Sequence, residues 1–171
     1  MRAAALDDWQ GVAKQATDWS RLTGRGVTPS FFGEPLGAGD RAAAALGEYE
    51  FIIAMRERMA FPASLIARLP KLKMIALTGR RSPALDLAAC TRHGVLVCNT
   101  GGTVSGATTA ELALGLLIAA FRHLPAADGA TRAGTFQTAV PPGRALEGHT
   151  LGLIGLGRIG SRMARAGLAL G

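Results

Sequence analysis

The sequence predicts an α/β fold: a doubly wound parallel sheet followed by the first β–α unit of a second domain. Strand and helix patterns alternate about every 20 residues up to position 100, the arrangement that builds a parallel sheet with helices on its faces. Short apolar runs such as residues 51–55 are bounded by charge, as strands buried on both faces require. Near the far end, HTLGLIGLGRIG (149–160) carries an apolar run into Gly155, Gly157 and Gly160, with helical spacing of Ile159, Met163, Ala166 and Leu170 after it. In that spacing Gly155 permits a tight turn, Gly157 lets backbone approach a pyrophosphate, and Gly160 lets the helix pack close to its strand. Phosphates then rest on N–H groups at the positive end of the helix dipole.

Taken in order, residues 2–6 read as a strand that runs into Asp7-Asp8, and residues 9–19 as a helix through Val12, Ala13 and Ala16. A second strand is expected over 27–32 and a loop over 33–40, with Asp40 as N-cap of an Ala-rich helix over 41–46. The strand over 51–55 ends at Arg56-Glu57-Arg58. Pro62 opens a helix over 63–69 that Pro70 closes, and a strand over 72–77 ends in Thr78-Gly79-Arg80-Arg81. A helix over 83–93 is stopped by Gly94, and the next strand, 95–98, ends at Asn99-Thr100. Residues 101–106 read as a turn and 108–123 as the longest helix. Leu112, Leu116, Ala119 and Ala120 line one side of it, and Leu114, Leu117, Ile118 and Phe121 widen the apolar surface. Such a helix is expected to be buried between layers, here between the first sheet and the second. Pro125 ends it, a helical piece over 126–133 follows, and 134–148 is a Gly/Pro connector. The expected domains are 1–100, an interdomain helix and connector over 101–148, and the start of the dinucleotide-binding domain over 149–171.

Doubly wound sheets hold ligands at the carboxyl ends of their strands. That rule selects Asp7-Asp8, Arg56-Glu57-Arg58, residues 78–81 and residues 99–102 as rims of one cleft. Composition excludes several alternatives. With 49% hydrophobic and 18% charged residues the chain is globular rather than disordered. Its longest apolar run, 112–121 with Gly115 counted, is about half the length of a membrane crossing, and Asp7-Asp8 interrupt any secretory core, so a cytoplasmic location is the default expectation. The net charge of +7 is scattered singly and aromatics make up only 5%, which argues against nucleic acid as partner. Cys90 and Cys98 lack CxxC spacing and read as buried thiols, neither metal ligands nor a disulfide.

In this order and spacing, LPKLKMIALTGRRSPALDLAACTRHGVLVCNT, TTAELALGLLIAAFRHL and LEGHTLGLIGLGRIG resemble the NAD-dependent D-2-hydroxyacid dehydrogenase family, across essentially all 171 residues. The resemblance implies a flavodoxin-like substrate domain followed by a Rossmann cofactor domain. Hydride moves between NAD or NADP and C2 of a small 2-hydroxy or 2-keto acid, while a His oriented by a Glu moves the proton and an Arg holds the carboxylate. In the family those three residues lie later in the second domain. None of His93, His123 or His149 falls in the matching place, so no catalytic residue is assigned and the chain alone is expected to be inactive. The ribose-binding acid, roughly 20 residues past the glycines, has no counterpart before Gly171, so the chain is read as the first half of its protein.

By the same resemblance, backbone amides of Gly79, Arg80 and Arg81 receive the substrate carboxylate, and Arg56 matches a position that contacts substrate in some members. Arg81 stands where a second glycine is usual, and Pro83-Ala84 replace an Asp-Asn pair. Arg80 and Arg81 either reach an anionic substrate bidentately or face solvent. Gly155, Gly157, Arg158, Ile159 and Gly160 match the pyrophosphate turn. Glu111 is expected to cap or pair, and the long helix to take part in a homodimer. The alternative reading is a non-catalytic nucleotide-sensing or interaction module of the same fold.

Overall fold

The computed structural model describes residues 1–100 and 106–171, which form two compact units, Met1–Gly102 and Thr103–Gly171. In the first unit, β1 (Arg2–Ala5), β2 (Thr28–Phe31), β3 (Phe51–Ala54), β4 (Met74–Leu77) and β5 (Leu96–Asn99) make one parallel sheet in the order β2-β1-β3-β4-β5. The strand order reverses beside β1, the place where α/β sheets open a crevice at their carboxyl edge.

Five helices accompany the strands: α1 (Ala13–Ala16), α2 (Ser20–Thr23), α3 (Asp40–Leu46), α4 (Ala63–Ile66) and α5 (Leu87–Arg92). One face of the sheet is dry. Ile52 and Ile75 are fully buried there with Leu46 of α3, Leu65 and Ile66 of α4, Cys90 of α5 and Phe61, each large apolar side chain contributing about 1.5–3 kcal/mol of transfer free energy. On the opposite face Phe51, Ile53, Met74 and Ala76 are half-buried and Leu96 is 60% exposed. Full burial on both faces, expected for the 51–55 strand, therefore holds on one face only. A cavity of about 700 Å³ lies along the opposite face, lined by Ile53, Ala76, Val12, Trp19 and Leu22 among others.

Several helix boundaries differ from expectation for local reasons. The helix expected over 9–19 is reduced to the single turn α1, with α2 following only from Ser20: Gly11 takes φ +66°, and Asp8 holds the start of α1 by accepting the N–H groups of Val12 and Ala13 at 2.9 and 3.0 Å. Asp40 makes no capping bond and pairs with Arg68 at 2.8 Å. The helix expected over 63–69 ends at Ile66. The helix expected over 83–93 begins at Leu87, because residues 84–86 are bonded to Phe61 instead: Phe61 N–H donates to Ala84 O (2.8 Å) and Asp86 N–H to Phe61 O (3.0 Å). Asp86 then caps α5, its carboxylate accepting from Ala89 N–H at 2.8 Å.

In the second unit, α6 (Ala107–Phe121) and α7 (Leu124–Arg132) are divided at His123, whose φ of +53° turns the chain, and Pro125 sits in the first turn of α7. A 3₁₀ turn (Phe136–Ala139) and α8 (Arg158–Ala169) follow. The expected burial of the long helix is not found: Ala110 alone is buried, while Leu112 and Leu116 are 64% and 61% exposed. Glu111 makes no capping bond to α6. The strand expected before the glycine turn is not formed by residues 151–154, since an extended segment becomes a strand only when a neighbour takes its hydrogen bonds. Cys90 is buried, and burial pushes its thiol pKa up, whereas Cys98 is exposed, correcting the expectation for that residue; both thiols are free. No single helix is long and apolar enough to cross a membrane.

Candidate functional site

The carboxyl edge of the first sheet carries the candidate site, and the ends of β3, β4 and β5 build it. β4 runs into Gly79-Arg80-Arg81, which leaves the sheet before Leu85 is fastened beside Phe61. No described residue accepts a hydrogen bond from the N–H of Gly79, Arg80 or Arg81. The loop is held instead through its carbonyl side, Asn99 Nδ2 at the end of β5 donating to Arg80 O at 2.9 Å. At the end of β3, Arg56 adopts φ +51°, and its Cγ lies 3.6 Å from where a Cβ on Gly79 would stand. Arg56 and the β4 loop are therefore neighbours, as expected from the sequence. Among the described residues no carboxylate pairs with Arg56, Arg80 or Arg81. Arg80, Arg81, Ser82, Pro83 and Asn99 line a cavity of about 510 Å³, with Leu85 and Leu87 in its wall. Unbonded amides beside unpaired guanidinium groups make an anion-receptive rim.

Arg58, the other arginine of Arg56-Glu57-Arg58, is engaged differently. Its guanidinium lies over the Trp9 ring at 4.2 Å and donates to Asp7 O at 2.7 Å, clasping the end of β1 to the end of β3. Asp7 is in the left-handed region at φ +57°, and no described donor reaches its buried Oδ2. Burial raises the Asp7 pKa, opposed by the Arg58 charge and a hydrogen bond from Trp9. Asp7 and Asp8, expected as rim residues, thus have structural partners. The part of the rim expected at residues 101–102 lies outside the described residues. Asn99 belonged to a candidate rim but not to the predicted site residues; only the fold reveals that its side chain reaches the loop after β4.

In the second unit the glycine turn is tight and opens directly into α8. Gly155 takes φ +90°, and Gly157 is the N-cap of α8 in extended conformation with no side-chain cap over the first amides. A Cβ on Gly160 would run into the carbonyl oxygen of Gly155, so only glycine fits there. Arg158, Ile159 and Gly160 form the first turn of α8, where N–H groups have no intrahelical acceptor. Ser161 fastens the turn, its Oγ donating to Leu156 O at 3.0 Å and its N–H to Gly157 O at 2.8 Å. These residues fit a pyrophosphate: close backbone approach, uncapped amides and a helix start. Among the described residues no group of His, Cys, Asp and Glu is arranged to hold a metal.

A sheet of this strand order, an anion-receptive loop at its carboxyl edge and a tight glycine turn opening a helix together define an α/β protein built to hold ligands at strand ends and helix starts. The chain belongs to the D-isomer specific 2-hydroxyacid dehydrogenase family, whose catalytic-domain model matches residues 18–158. It is 38% identical over 132 residues to the D-3-phosphoglycerate dehydrogenase of Mycobacterium bovis, covering 77% of this chain and 25% of that protein. The hydroxypyruvate reductase of Thermotoga maritima is 35% identical over 120 residues, covering 70% and 39%. The crystal structure of a phosphoglycerate oxidoreductase from Vibrio cholerae O395 superposes with a TM-score of 0.86 at 35% identity, over 100% of this chain and 54% of that one. The chain thus spans from a quarter to about half the length of these relatives. The family is one of NAD(H)- or NADP(H)-using oxidoreductases acting on 2-hydroxy and 2-keto acids.

Proposed function

We propose that this chain supplies the substrate-anion loop and the pyrophosphate turn of an NAD(P)-dependent 2-hydroxyacid dehydrogenase, with a flavodoxin-like substrate domain and the opening β–α unit of a Rossmann domain. The observation that carries this reading is the loop after β4, whose three amides have no described acceptor and whose neighbours are Arg56, Arg80 and Arg81. The loop amides receive the carboxylate of a small 2-hydroxy or 2-keto acid, and Arg56 adds positive charge beside Gly79. Gly155, Gly157 and Gly160 let the backbone close on a pyrophosphate, with Arg158 and Ile159 contributing amides. When bound, the nicotinamide cofactor supplies or accepts the hydride at C2.

The proton-moving part is not assigned to any residue of this chain. His93 caps α5 at the start of β5, away from the carboxyl edge, and the His149 ring packs edge-on against Phe121. No described histidine pairs with a carboxylate, so the 171 residues alone are expected to bind without turnover. That same observation favours the second reading, a non-catalytic binding module. A homodimer through α6 is part of the proposal.

Titrating the ¹⁵N-labelled chain with oxalate, a non-reacting 2-keto acid mimic, tests the reading directly. The amide resonances of Gly79, Arg80 and Arg81 are expected to shift in a saturable manner, while NADH is not consumed when glyoxylate is added. Unmoved loop amides would overturn the substrate assignment; steady NADH consumption would overturn the expected inactivity.

A further inference from the structure

We propose that Asn99 is a positioning residue for the anion loop, which it aims by holding the Arg80 carbonyl. This rests on the reading of that loop as the carboxylate receiver. Arg80 O and the N–H of Arg81 belong to one planar trans peptide and point in opposite directions, and the described residues contain no cis bond. A carbonyl only accepts, so the amide nitrogen of Asn99, not its oxygen, faces Arg80. Fixing Arg80 O at 2.9 Å from Asn99 Nδ2 therefore turns the Arg81 N–H away from β5, where no described acceptor meets it.

Three further features agree. Asn99 is itself anchored: as the last residue of β5 it pairs with Leu77 of β4, and the following Thr100 N–H donates to Leu77 O at 3.1 Å. The donor thus rides on the sheet while its acceptor rides on the loop. Arg80, Arg81 and Asn99 line the same cavity. No other side chain of the described residues bonds to the backbone of residues 79–81. The loop carries one glycine, Gly79, and its backbone there is not in the left-handed region, so the chain's own conformational preference does not dictate where the next amide points. A side-chain tether from the neighbouring strand does.

The test compares wild type with Asn99→Ala in the ¹⁵N oxalate titration, with thermal melting of both. The expected result is about five- to tenfold weaker oxalate binding, the equivalent of one hydrogen bond of ordinary strength, with melting lowered by a few degrees at most, since the same exposed bond is also lost from the free protein. The oxalate-induced shift at Arg81 should diminish more than that at Gly79, a pattern that general loosening of the unit would not produce. A second measurement needs no variant: in the wild type, one Asn99 side-chain N–H proton should show slowed solvent exchange and a cross-hydrogen-bond coupling to the Arg80 carbonyl carbon. Oxalate affinity within twofold of wild type in Asn99→Ala, or equal loss of response at Gly79 and Arg81, overturns the role of Asn99 while leaving the loop assignment standing. Absence of any oxalate response in the wild type overturns both.

Discussion

Asp7 hosts a carboxyl group where its charge is poorly accommodated, with 2% of the residue exposed and one oxygen that no described donor reaches. Burial raises its pKa, so the folded protein favours the neutral acid more than the unfolded chain does. The stabilising preference is complete below the unfolded Asp value of about 3.9 and is lost as pH rises through the raised folded value. Asp7→Asn removes the charge, keeps an acceptor for Trp9 and suits the left-handed backbone, which Asn tolerates better than most residues. We expect it to melt a few degrees above wild type at neutral pH, with the two curves converging below about pH 4. Circular dichroism melts across that range check this, and a variant less stable than wild type at neutral pH would show that the carboxylate is well hosted.

The two arginines of Arg56-Glu57-Arg58 separate at the same scale. Arg58→Ala loses a ring stack and a hydrogen bond to Asp7 O, about 1–2 kcal/mol together, and should lower Tm. Arg56→Ala should leave stability within about 0.5 kcal/mol of wild type, as for a surface change, yet weaken oxalate binding. The sequence marked the triplet as a rim but could not tell these arginines apart, because the distinction depends on Trp9, nearly fifty residues away.

Among the elements, what could be read from the sequence follows the distance over which each is decided. The glycine turn is decided within a few residues: Gly155 takes φ +90° and the Gly160 position leaves no room for a Cβ, although the strand that Gly160 was expected to let its helix pack against is not formed. Gly160→Ala should displace the start of α8 from the turn, since its Cβ collides with Gly155 O; loss of NADH fluorescence enhancement, or of any cofactor binding seen with the wild type, with α8 helicity reduced, is the expected result. Caps were read less well. Asp40, expected as a cap, instead pairs with Arg68 just past α4, whereas Asp86, expected inside the helix over 83–93, is the residue that caps, accepting from Ala89 N–H. Asp86→Ala should therefore cost about 1 kcal/mol, whereas Asp40→Ala should cost about half of that or less, as expected for an exposed ion pair. Melting of the two variants side by side discriminates them. The strand expected at residues 151–154 is decided at the longest range of all: its apolar residues are present, but pairing needs a neighbour that local pattern cannot supply.

For the whole molecule, alternation of apolar runs and helices was enough to predict the parallel sheet, whose strand order of β2-β1-β3-β4-β5 places the β3 and β4 ends side by side. Surface fate was less accessible. The apolar breadth of α6 suggested a buried helix, but Leu112 and Leu116, one turn apart, are 64% and 61% exposed. Apolar periodicity reports what a helix tends to bury, not whether the covering surface lies in the same chain. In the homodimer proposed here, a second copy covers this face. Burying two leucines from each protomer contributes roughly 1.5–3 kcal/mol per side chain against an association cost of about 4–15 kcal/mol, so neighbouring residues of α6 must share the interface. Replacing Leu116 with Glu places a charge at its centre, where desolvation is costly. Sedimentation equilibrium at micromolar concentration should give a dimer for wild type and a monomer for Leu116→Glu, with the helical circular dichroism of both alike. A wild-type monomer, or a variant that still pairs, would remove α6 as the dimer face.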